Sequence, residues 1–464
     1  MAFQATPEQK NAIEAKGTVL VSAAAGSGKT AVLVERIVRL LTGEQPVDAD
    51  RILVVTFTKA AAAEMRSRIN LRLAEEVKKR PGDALLQRQM VLLQRAKICT
   101  MDSFCGDLVR EHFHLLELPP DFKIVESALL AQLETKAMEQ VLDRRFREEK
   151  EDFLKLLGML GSEYGDRSLK DAVTAVYTFL RSLPFPQEWL EKTKEQYRAA
   201  GDISQTGWAE ILFEEGIRVL RPVLNGLETS LSALSGKLSD GLMNLFSDAQ
   251  NRANEVYRRL EQRQFDAVYQ AVGKMSPIKT GRIIGLDDRE KATVKRLAEA
   301  VNGAVKTLQR AFAAGEQETA EELAAMAPCV SLLLDLVWEY WQALYTMKLE
   351  KKSLDFADVE YAALSLLVKR EAGRLVPAPG AQEIIDRFDE VLVDEYQDTN
   401  DLQNTIFEAV SGNASRLFMV GDVKQSIYRF RQGNPGNFIA RRDAFPLYDG
   451  TADPSCVVLG SNFR

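Results

Sequence analysis

The residues with the clearest chemistry lie in a short loop near the start of the chain. The apolar residues 19–21 run into the small residues 22–28, and Lys29 and Thr30 follow. Backbone N–H groups of a Gly-rich turn at the start of a helix attract anions, because the helix dipole adds to their partial positive charge. In such loops a lysine reaches the β- and γ-phosphates of a nucleoside triphosphate, and a Ser or Thr hydroxyl binds Mg²⁺. The sequence therefore predicts a phosphate-binding loop.

One position of this loop departs from the strict motif G-x-x-x-x-G-K-[ST]. The motif places a glycine at position 23, where this chain has Ala23. Gly26 and Gly28 remain to let the backbone approach the phosphates. The candidate nucleotide-binding residues of the loop are Ala23, Ala24, Ala25, Gly26, Ser27, Gly28, Lys29 and Thr30.

A second candidate group, two adjacent carboxylates, lies far downstream. Asp394 and Glu395 follow the apolar residues 391–393. A carboxylate at the end of a buried strand can hold the Mg²⁺ of a nucleotide, and a second one can orient or deprotonate the attacking water. We therefore predict that Asp394 and Thr30 bind the metal ion and that Glu395 is the catalytic base. The long separation from Lys29 predicts a large insertion between two halves of one ATPase core.

The elements that must position these groups alternate between strand and helix. Continuous apolar runs separated by amphipathic stretches are typical of an α/β fold, in which helices cover both faces of a parallel sheet. The predicted strands are residues 18–21, 51–57, 97–100, 390–394, 416–421 and 457–459. The predicted helices between the first of them are residues 30–41, 59–76 and a segment from about residue 103.

The middle of the chain has a different pattern. Strand-like runs are missing from residues 126–352, where amphipathic helical patterns dominate, and this predicts a large, mainly α-helical inserted domain. The ATPase domain would then comprise residues 1–125 and 353–450. Residues 451–464 would begin a further domain, with 457–459 as the opening strand of another sheet.

Composition sets broad limits on function. The 60 basic and 67 acidic residues give a net charge of −7, without a global basic signature; a nucleic-acid groove needs only local cations. The start of the chain does not have the pattern of a secretory signal, and no stretch has the length and apolarity of a membrane span. The four cysteines lack a C-x-x-C spacing, which favours reduced thiols in a cytoplasmic protein. Two histidines, His112 and His114, would not share a helical face, which argues against a histidine metal site.

Several motifs together resemble the UvrD-like, superfamily-one DNA helicases. Residues 394–400 (Asp-Glu-Tyr-Gln-Asp-Thr-Asn) and 420–431 are similar to two signature motifs of that family. Other family motifs are matched, in the family's order, by residues 3–9, 56–65, 100–104, 354–358 and 462–464. Asp102 stands where the family usually has His. Residues 22–30, residues 424–431 and the long helical insertion are most similar to the A subunits of AddAB-type helicase–nucleases within this family.

The resemblance implies a RecA-like sheet and assigns roles to further residues. Gln9 would read adenine, since a carboxamide can bond both N6 and N7, and Gln425 would sense the γ-phosphate. Lys29 and Arg464 would stabilise charge in the transition state, Arg464 as an arginine finger. The residues that match DNA-contact positions are Thr56, Phe57, Ser103, Phe104, Tyr428, Phe430 and Arg431. For Phe57 and Phe430 a core position is the alternative to stacking on a base.

The resemblance also implies a function. We expect an ATP-dependent DNA helicase or translocase subunit of double-strand break repair by recombination, with ATP and Mg²⁺ as cofactors. Its partners would be single- or double-stranded DNA and a second, AddB-like subunit, with no membrane. Arg464 falls inside the motif that opens the second motor domain, so we expect this chain to hold only the first motor domain and no nuclease. The alternative is an ATP- and DNA-binding module without independent turnover.

A generic P-loop kinase or GTPase switch is a further alternative. It does not explain Gln9, the Asp-Glu-Tyr-Gln-Asp strand end at residues 394–398, or the Lys-Gln-Ser-Ile-Tyr segment at residues 424–428. Nucleotide preference distinguishes the two hypotheses.

Overall fold

The structure is a computed structural model that describes residues 4–148, 150–160, 166–198, 203–371, 373–426 and 432–461. The chain forms two compact units, one comprising Met1–Glu149, Ser162–Pro186 and Leu336–Arg464, and the other Lys150–Gly161 and Gln187–Asp335. The second unit is shorter at both ends than the predicted insertion of residues 126–352. The residues at which each functional domain begins and ends stay a prediction.

The secondary structure follows the predicted alternation at the start and end of the chain. The strands are β1 (Val19–Ala23), β2 (Ile52–Thr56), β3 (Lys97–Thr100), β4 (Lys123–Ile124), β5 (Ser353–Leu354), β6 (Val368–Glu371), β7 (Arg374–Pro377), β8 (Glu390–Val393), β9 (Leu417–Gly421) and β10 (Ser455–Leu459). The first nine helices are α1 (Pro7–Glu14), α2 (Lys29–Thr42), α3 (Lys59–Lys79), α4 (Ala84–Leu92), α5 (Met101–Glu111), α6 (Ser127–Glu148), α7 (Glu151–Met159), α8 (Arg167–Leu180) and α9 (Pro186–Arg198). They are followed by α10 (Gly207–Ala233), α11 (Asp240–Glu261), α12 (Phe265–Gly273), α13 (Asp288–Ala311), α14 (Glu316–Glu350), α15 (Phe356–Leu367), α16 (Ala381–Ile385), α17 (Asp401–Val410) and α18 (Pro435–Ala444).

Six strands form one parallel sheet in the first unit. Their order is β10-β1-β9-β8-β2-β3, so β9 separates the strand before the loop from the strand before the acidic pair. Val19 of β1 lies opposite Phe418 of β9, and Val391 of β8 lies opposite Leu417 of the same strand. The predicted α/β fold with a parallel sheet is confirmed.

Successive residues of the strands enter two different cores. Leu20, Leu53 and Met419 pack into one hydrophobic cluster with α5, α15 and α17. Val21 and Phe418, on the other face, pack with helices α1 to α4. This alternation is the period of a pleated strand, and burial on both faces explains why the strands read as continuous apolar runs.

The last strand corrects one prediction. Ser455–Leu459 does not open another sheet, because β10 pairs in parallel with β1 and Val19 lies opposite Ser455. Pairing with β10 covers what would otherwise be an unpaired edge of the sheet at β1. In this position Cys456, Val457 and Leu459 are buried. The sequence pattern alone could not distinguish an added edge strand from the first strand of a new sheet.

The second unit is helical, as predicted for this part of the chain. Helices α10 to α13 surround a core that includes Phe213, Val256, Val301 and Leu308. Between residues 126 and 352, the described residues contain helices and turns but no strand. Among the described helices of the whole chain, none is long and apolar enough to cross a membrane.

Two neighbouring residues test the placement of β10. Val457 is 5% exposed and Val458 is 49% exposed, since they face opposite sides of the strand. We expect Val457→Asp to lower the free energy of unfolding by about 3 kcal/mol or more, because it buries an unpaired carboxylate. Val458→Asp is the matched control and should change it by less than about 0.5 kcal/mol. Urea denaturation of both variants measures the difference, and equal effects would contradict the assignment of β10 to this sheet.

Candidate nucleotide site at the carboxyl edge of the sheet

The predicted phosphate loop lies between β1 and α2. Its two glycines have left-handed backbones, with φ of 78° at Gly26 and 85° at Gly28, the residue that caps α2. Ala23 is the last residue of β1 and lies opposite Leu459, so its backbone is extended and does not require a glycine. Lys29 is the first residue of α2. The loop therefore presents backbone N–H groups at a helix N-terminus, as an anion site requires.

Gln9 is held against this loop from α1. Its side-chain oxygen accepts the Thr6 N–H at 3.0 Å, and the Thr6 hydroxyl accepts the Gln9 N–H at 3.3 Å, which together form a capping box. The Gln9 Nε2 donates to the Ser27 carbonyl at 3.0 Å. Gln9 is only 2% exposed, and each end of its carboxamide retains one further hydrogen-bonding position.

The acidic pair follows β8 and meets the loop directly. The ammonium of Lys29 lies 3.1 Å from Glu395 Oε2. Glu395 has a left-handed backbone, with φ of 52° and ψ of 42°. A non-glycine residue in this conformation carries strain of about 1–3 kcal/mol, which the surrounding structure must offset. The structure thus brings together Lys29 and Glu395, the predicted phosphate-binding lysine and the predicted base.

Asp394 has an unusual electrostatic environment. Its backbone N–H donates to the Val55 carbonyl at 2.9 Å, and one of its carboxylate oxygens accepts the Glu395 N–H at 3.0 Å. Burial, followed by the neighbouring charge of Glu395, raises the pKa of Asp394 to about 6. A nearby cation would stabilise the ionised form of this carboxylate, because its charge offsets the cost of burial and the repulsion from Glu395.

A hydrogen-bonded chain links Glu395 to the end of β9. Gln397 Nε2 donates to Glu395 Oε2 at 2.9 Å, and Gln397 Oε1 accepts the Asp422 N–H at 2.9 Å. Asp422 Oδ2 in turn accepts Gln425 Nε2 at 2.5 Å. A Cβ at Gly421 would lie 2.4 Å from Gln397 Oε1, so glycine is required for this close approach.

Sequence reasoning missed Gln397 and Asp422 as members of the site. Gln397 is only 1% exposed, which is unusual for a glutamine and needs satisfied hydrogen bonds. The signal available in the sequence was its place two residues after Glu395, within the Asp-Glu-Tyr-Gln-Asp motif. Its bridging role depends on β8 and β9 being neighbours, which the sequence does not reveal.

A cavity of about 460 Å³ opens beside the acidic pair. Phe57 contributes to its wall together with Asp394 and Glu395, so a predicted DNA-contact residue shares one space with the predicted metal ligand and the predicted base. Thr56 also lines this cavity, although it is buried and its hydroxyl donates to the Thr58 carbonyl. Asp102 belongs to the same wall. Ser103 lines a separate cavity next to α3.

The structure does not support a DNA contact by the side chain of Phe104. It is 3% exposed and packs edge-on against Phe388, with 6.1 Å between ring centroids. Its ring belongs to the hydrophobic core under α5, because Phe104 lies on the buried, apolar side of that helix. The other predicted DNA contacts Tyr428, Phe430 and Arg431 lie outside the described residues, as does Arg464.

The motif before the acidic strand has a structural role. Asp355 caps α15 and forms a capping box with Asp358. Both carboxylates pair with the buried ammonium of Lys348, at 2.8 Å and 2.5 Å. Arg181 adds a further ion pair to Asp355. This buried charge cluster fixes the start of α15, which packs under the sheet.

Comparison with known proteins agrees with this geometry. Residues 5–446 match the family described as the UvrD/REP helicase N-terminal domain, and the chain belongs to that family. It is 37% identical over 473 residues to the A subunit of the ATP-dependent helicase/nuclease of Pelotomaculum thermopropionicum. The proteins of the same name from Acetivibrio thermocellus and Bacillus velezensis are each 36% identical, over 479 and 473 residues.

These alignments cover 99% of this chain in all three cases. They cover only 37% of the Pelotomaculum protein and 38% of each of the other two. The chain therefore spans well under half the length of the relatives it matches.

The raised pKa of Asp394 predicts a pH-dependent effect on stability. Since the folded-state pKa of about 6 exceeds the ordinary value of 3.8, the unfolded chain loses this proton first as pH rises. The free energy of unfolding therefore falls between about pH 4 and pH 6. We expect Asp394→Asn to remove this fall, so that it stabilises the protein by about 1–3 kcal/mol above pH 6 and by almost nothing below pH 4.

Urea denaturation at both ends of this pH range measures the effect. Asp389 provides an opposite control, because its hydrogen bond from Arg51 lowers the pKa of Asp389. Asp389→Asn should therefore destabilise the protein at neutral pH and lose this effect in acid. A pH-independent effect of Asp394→Asn would contradict the assignment.

Proposed function

We propose that this chain is the ATP-hydrolysing motor domain of a DNA helicase or translocase subunit. The observation that carries the proposal is the contact of Lys29 with Glu395 at the end of the phosphate loop. It brings a phosphate-binding cation and a candidate general base to one point at the carboxyl edge of a parallel sheet, where such folds bind ligands. Membership in the UvrD/REP family supports the same function.

The residues of the site fit ATP and Mg²⁺. Gly26 and Gly28 have the left-handed backbones of an anion nest, and within the described residues the buried Ser27 hydroxyl has no hydrogen-bond partner. Thr30 and Asp394 supply the oxygen ligands that Mg²⁺ prefers. Bound Mg²⁺ would neutralise charge on the phosphates during hydrolysis. The loop residues from Ala23 to Thr30 would hold the phosphates, and Gln9 would hold the adenine.

The side chains of the chain then have distinct tasks. Lys29 exchanges its contact with Glu395 for the phosphates, which leaves the Glu395 carboxylate available to accept a proton from water. Gln397 keeps that carboxylate oriented through its amide N–H. Gln425, at the other end of the hydrogen-bonded chain, senses the γ-phosphate. This division matches the general requirements of phosphoryl transfer, which are positioning and charge stabilisation.

We propose that a base of single-stranded DNA stacks on Phe57 in the wall of the cavity beside the acidic pair, while the carboxylates that line it keep the DNA phosphates away. Stacking of a base on an aromatic ring contributes about 1–3 kcal/mol and tolerates any sequence. The cavity also contains Asp394 and Glu395, so DNA bound there would be close enough to influence the catalytic carboxylates. This proximity gives a physical basis for DNA-dependent hydrolysis.

The wider role is inferred from the relatives. Their name as helicase/nuclease subunits supports a place in a DNA-processing complex that has a second subunit. We propose repair of double-strand breaks by recombination as the setting of that complex. The four cysteines are free thiols, which fits the proposed reducing environment of the cytoplasm.

Two variants test the proposed function on the 464-residue chain. We expect Glu395→Gln to bind ATP with nearly unchanged affinity and to lower kcat by about 10²–10⁴-fold, because it removes the base but keeps the size of the side chain. Lys29→Ala should instead weaken ATP binding, since it removes the cation that faces the phosphates. Calorimetric titration and phosphate release, each with and without single-stranded DNA, provide the measurements.

The outcomes separate the hypotheses. Hydrolysis that increases with DNA and disappears in Glu395→Gln supports the motor. ATP binding without turnover in the unaltered chain, with or without DNA, supports the ATP- and DNA-binding module. A preference for GTP, or phosphoryl transfer to a small acceptor, would rule out the helicase function.

A further inference from the structure

A buried arginine behind the nucleotide site joins three of its elements. Arg36 lies on α2 and is 2% exposed, among the largest fully buried side chains of the described residues. It is seven positions after Lys29, which places it about 10 Å along the helix axis from the phosphate loop. Arg36 is therefore too far along the helix to bind a phosphate held by Lys29.

The guanidinium of Arg36 completes the end of α1. The two N–H groups of its Nη1 are shared among three carbonyls, those of Ala12 at 3.2 Å, Ile13 at 3.4 Å and Ala15. The last carbonyls of a helix have no partner within the helix, and a cation is favourable at that end of its dipole. Ala12 and Ala15 are buried, so without Arg36 their carbonyls would lack both water and a donor.

The same guanidinium also contacts the sheet. Arg36 Nη2 lies 3.6 Å from Glu390 Oε2 at the start of β8, the strand that precedes Asp394. Its carbon Cζ lies 4.2 Å above the centre of the Phe418 ring in β9. Burial lowers the pKa of Arg36, and burial raises the pKa of Glu390, so both charges are held at an energetic penalty. A buried charge of this kind needs a reason beyond packing.

That reason is suggested by the opposite end of α1. Gln9, in the first turn of α1, is bonded to the phosphate loop through the Ser27 carbonyl. α1 has only eight residues, and it is bonded near one end through Gln9 and at the other through Arg36, in addition to its packing in the core. If the Arg36 end is released, the helix can tilt and the carboxamide of Gln9 moves. Recognition through hydrogen bonds requires a placement within about 0.5 Å and 10–20°.

We infer that Arg36 is a positioning residue for nucleotide selection, which fixes α1 so that Gln9 can distinguish ATP from GTP without itself touching the nucleotide. This inference rests on the ATP-binding function proposed above. It predicts that a change at Arg36 alters the choice of base, whereas the groups that carry out hydrolysis remain in place.

A double-mutant cycle on the 464-residue chain tests this inference. The dissociation constants of ATP and GTP are measured by calorimetric titration for the unaltered chain, Arg36→Met, Gln9→Ala and the double variant. We expect Arg36→Met to reduce the preference for ATP over GTP by about tenfold, which is about 1.4 kcal/mol and within the range of one lost hydrogen bond. In the Gln9→Ala background the same change should leave the preference unaltered, because the reading residue is already absent.

Two further variants keep the test decisive. Arg39→Met removes an exposed ion pair between the same two helices, Arg39 with Glu14 at 2.9 Å, and should not change the preference. Arg36→Lys keeps the buried charge, but one ammonium cannot bond the carbonyls of α1 and also reach Glu390 and cover Phe418, as the planar guanidinium does. It should reduce the preference even if Arg36→Met does not fold. Circular dichroism checks the fold of each variant.

Each outcome bears on one hypothesis. Equal weakening of ATP and GTP binding by both Arg36 variants, or a loss of preference that persists in the Gln9→Ala background, would overturn the positioning role. If the unaltered chain does not bind ATP in preference to GTP, the proposed function fails before Arg36 is tested.

Discussion

The ion pair between Lys29 and Glu395 joins two halves of the candidate site that are 366 residues apart in the sequence. This contact depends on the order of the parallel sheet. Because β9 alone separates β1 from β8, the phosphate loop, the acidic pair and the segment with Gln425 all follow strands that end at the same edge. The insertion of a helical unit between the two halves does not separate them, because β1 and β8 belong to one sheet. Backbone hydrogen bonds and a hydrophobic core on each face hold that sheet together.

The site concentrates features that a stable fold ordinarily avoids. Glu395 has a left-handed backbone, Asp394 is partly buried beside a like charge, and Arg36 is buried behind the sheet. Each feature opposes folding by a few kcal/mol at most, and the apolar cores on both sheet faces offset it. All three residues lie on or next to α2 and β8. Two of them, Asp394 and Glu395, are adjacent at the carboxyl end of β8, where the candidate site lies.

Local chemistry explains what could be predicted from the sequence. The predicted phosphate loop and acidic pair depend on residue type and short spacing, and the structure has the expected strands before both, β1 and β8. Gln397 could not be assigned, because its role depends on which strand lies beside β8. Phe104 was predicted to contact DNA from its motif, but the period of α5 turns its ring into the core. β10 was placed in another sheet because an apolar strand does not reveal its partner.

A crystal structure of the chain with Mg²⁺ and a non-hydrolysable ATP analogue tests most directly whether Lys29 and Glu395 form an ATP site. We expect the ammonium of Lys29 to leave Glu395, which it contacts here at 3.1 Å, and to bind the phosphates instead. Asp394 and Thr30 should face the metal ion, and Gln397 should still donate to Glu395. A nucleotide bound away from the loop of Gly26 and Gly28, or a Lys29 that stays paired with Glu395 beside a bound analogue, would rule out the proposed ATP site.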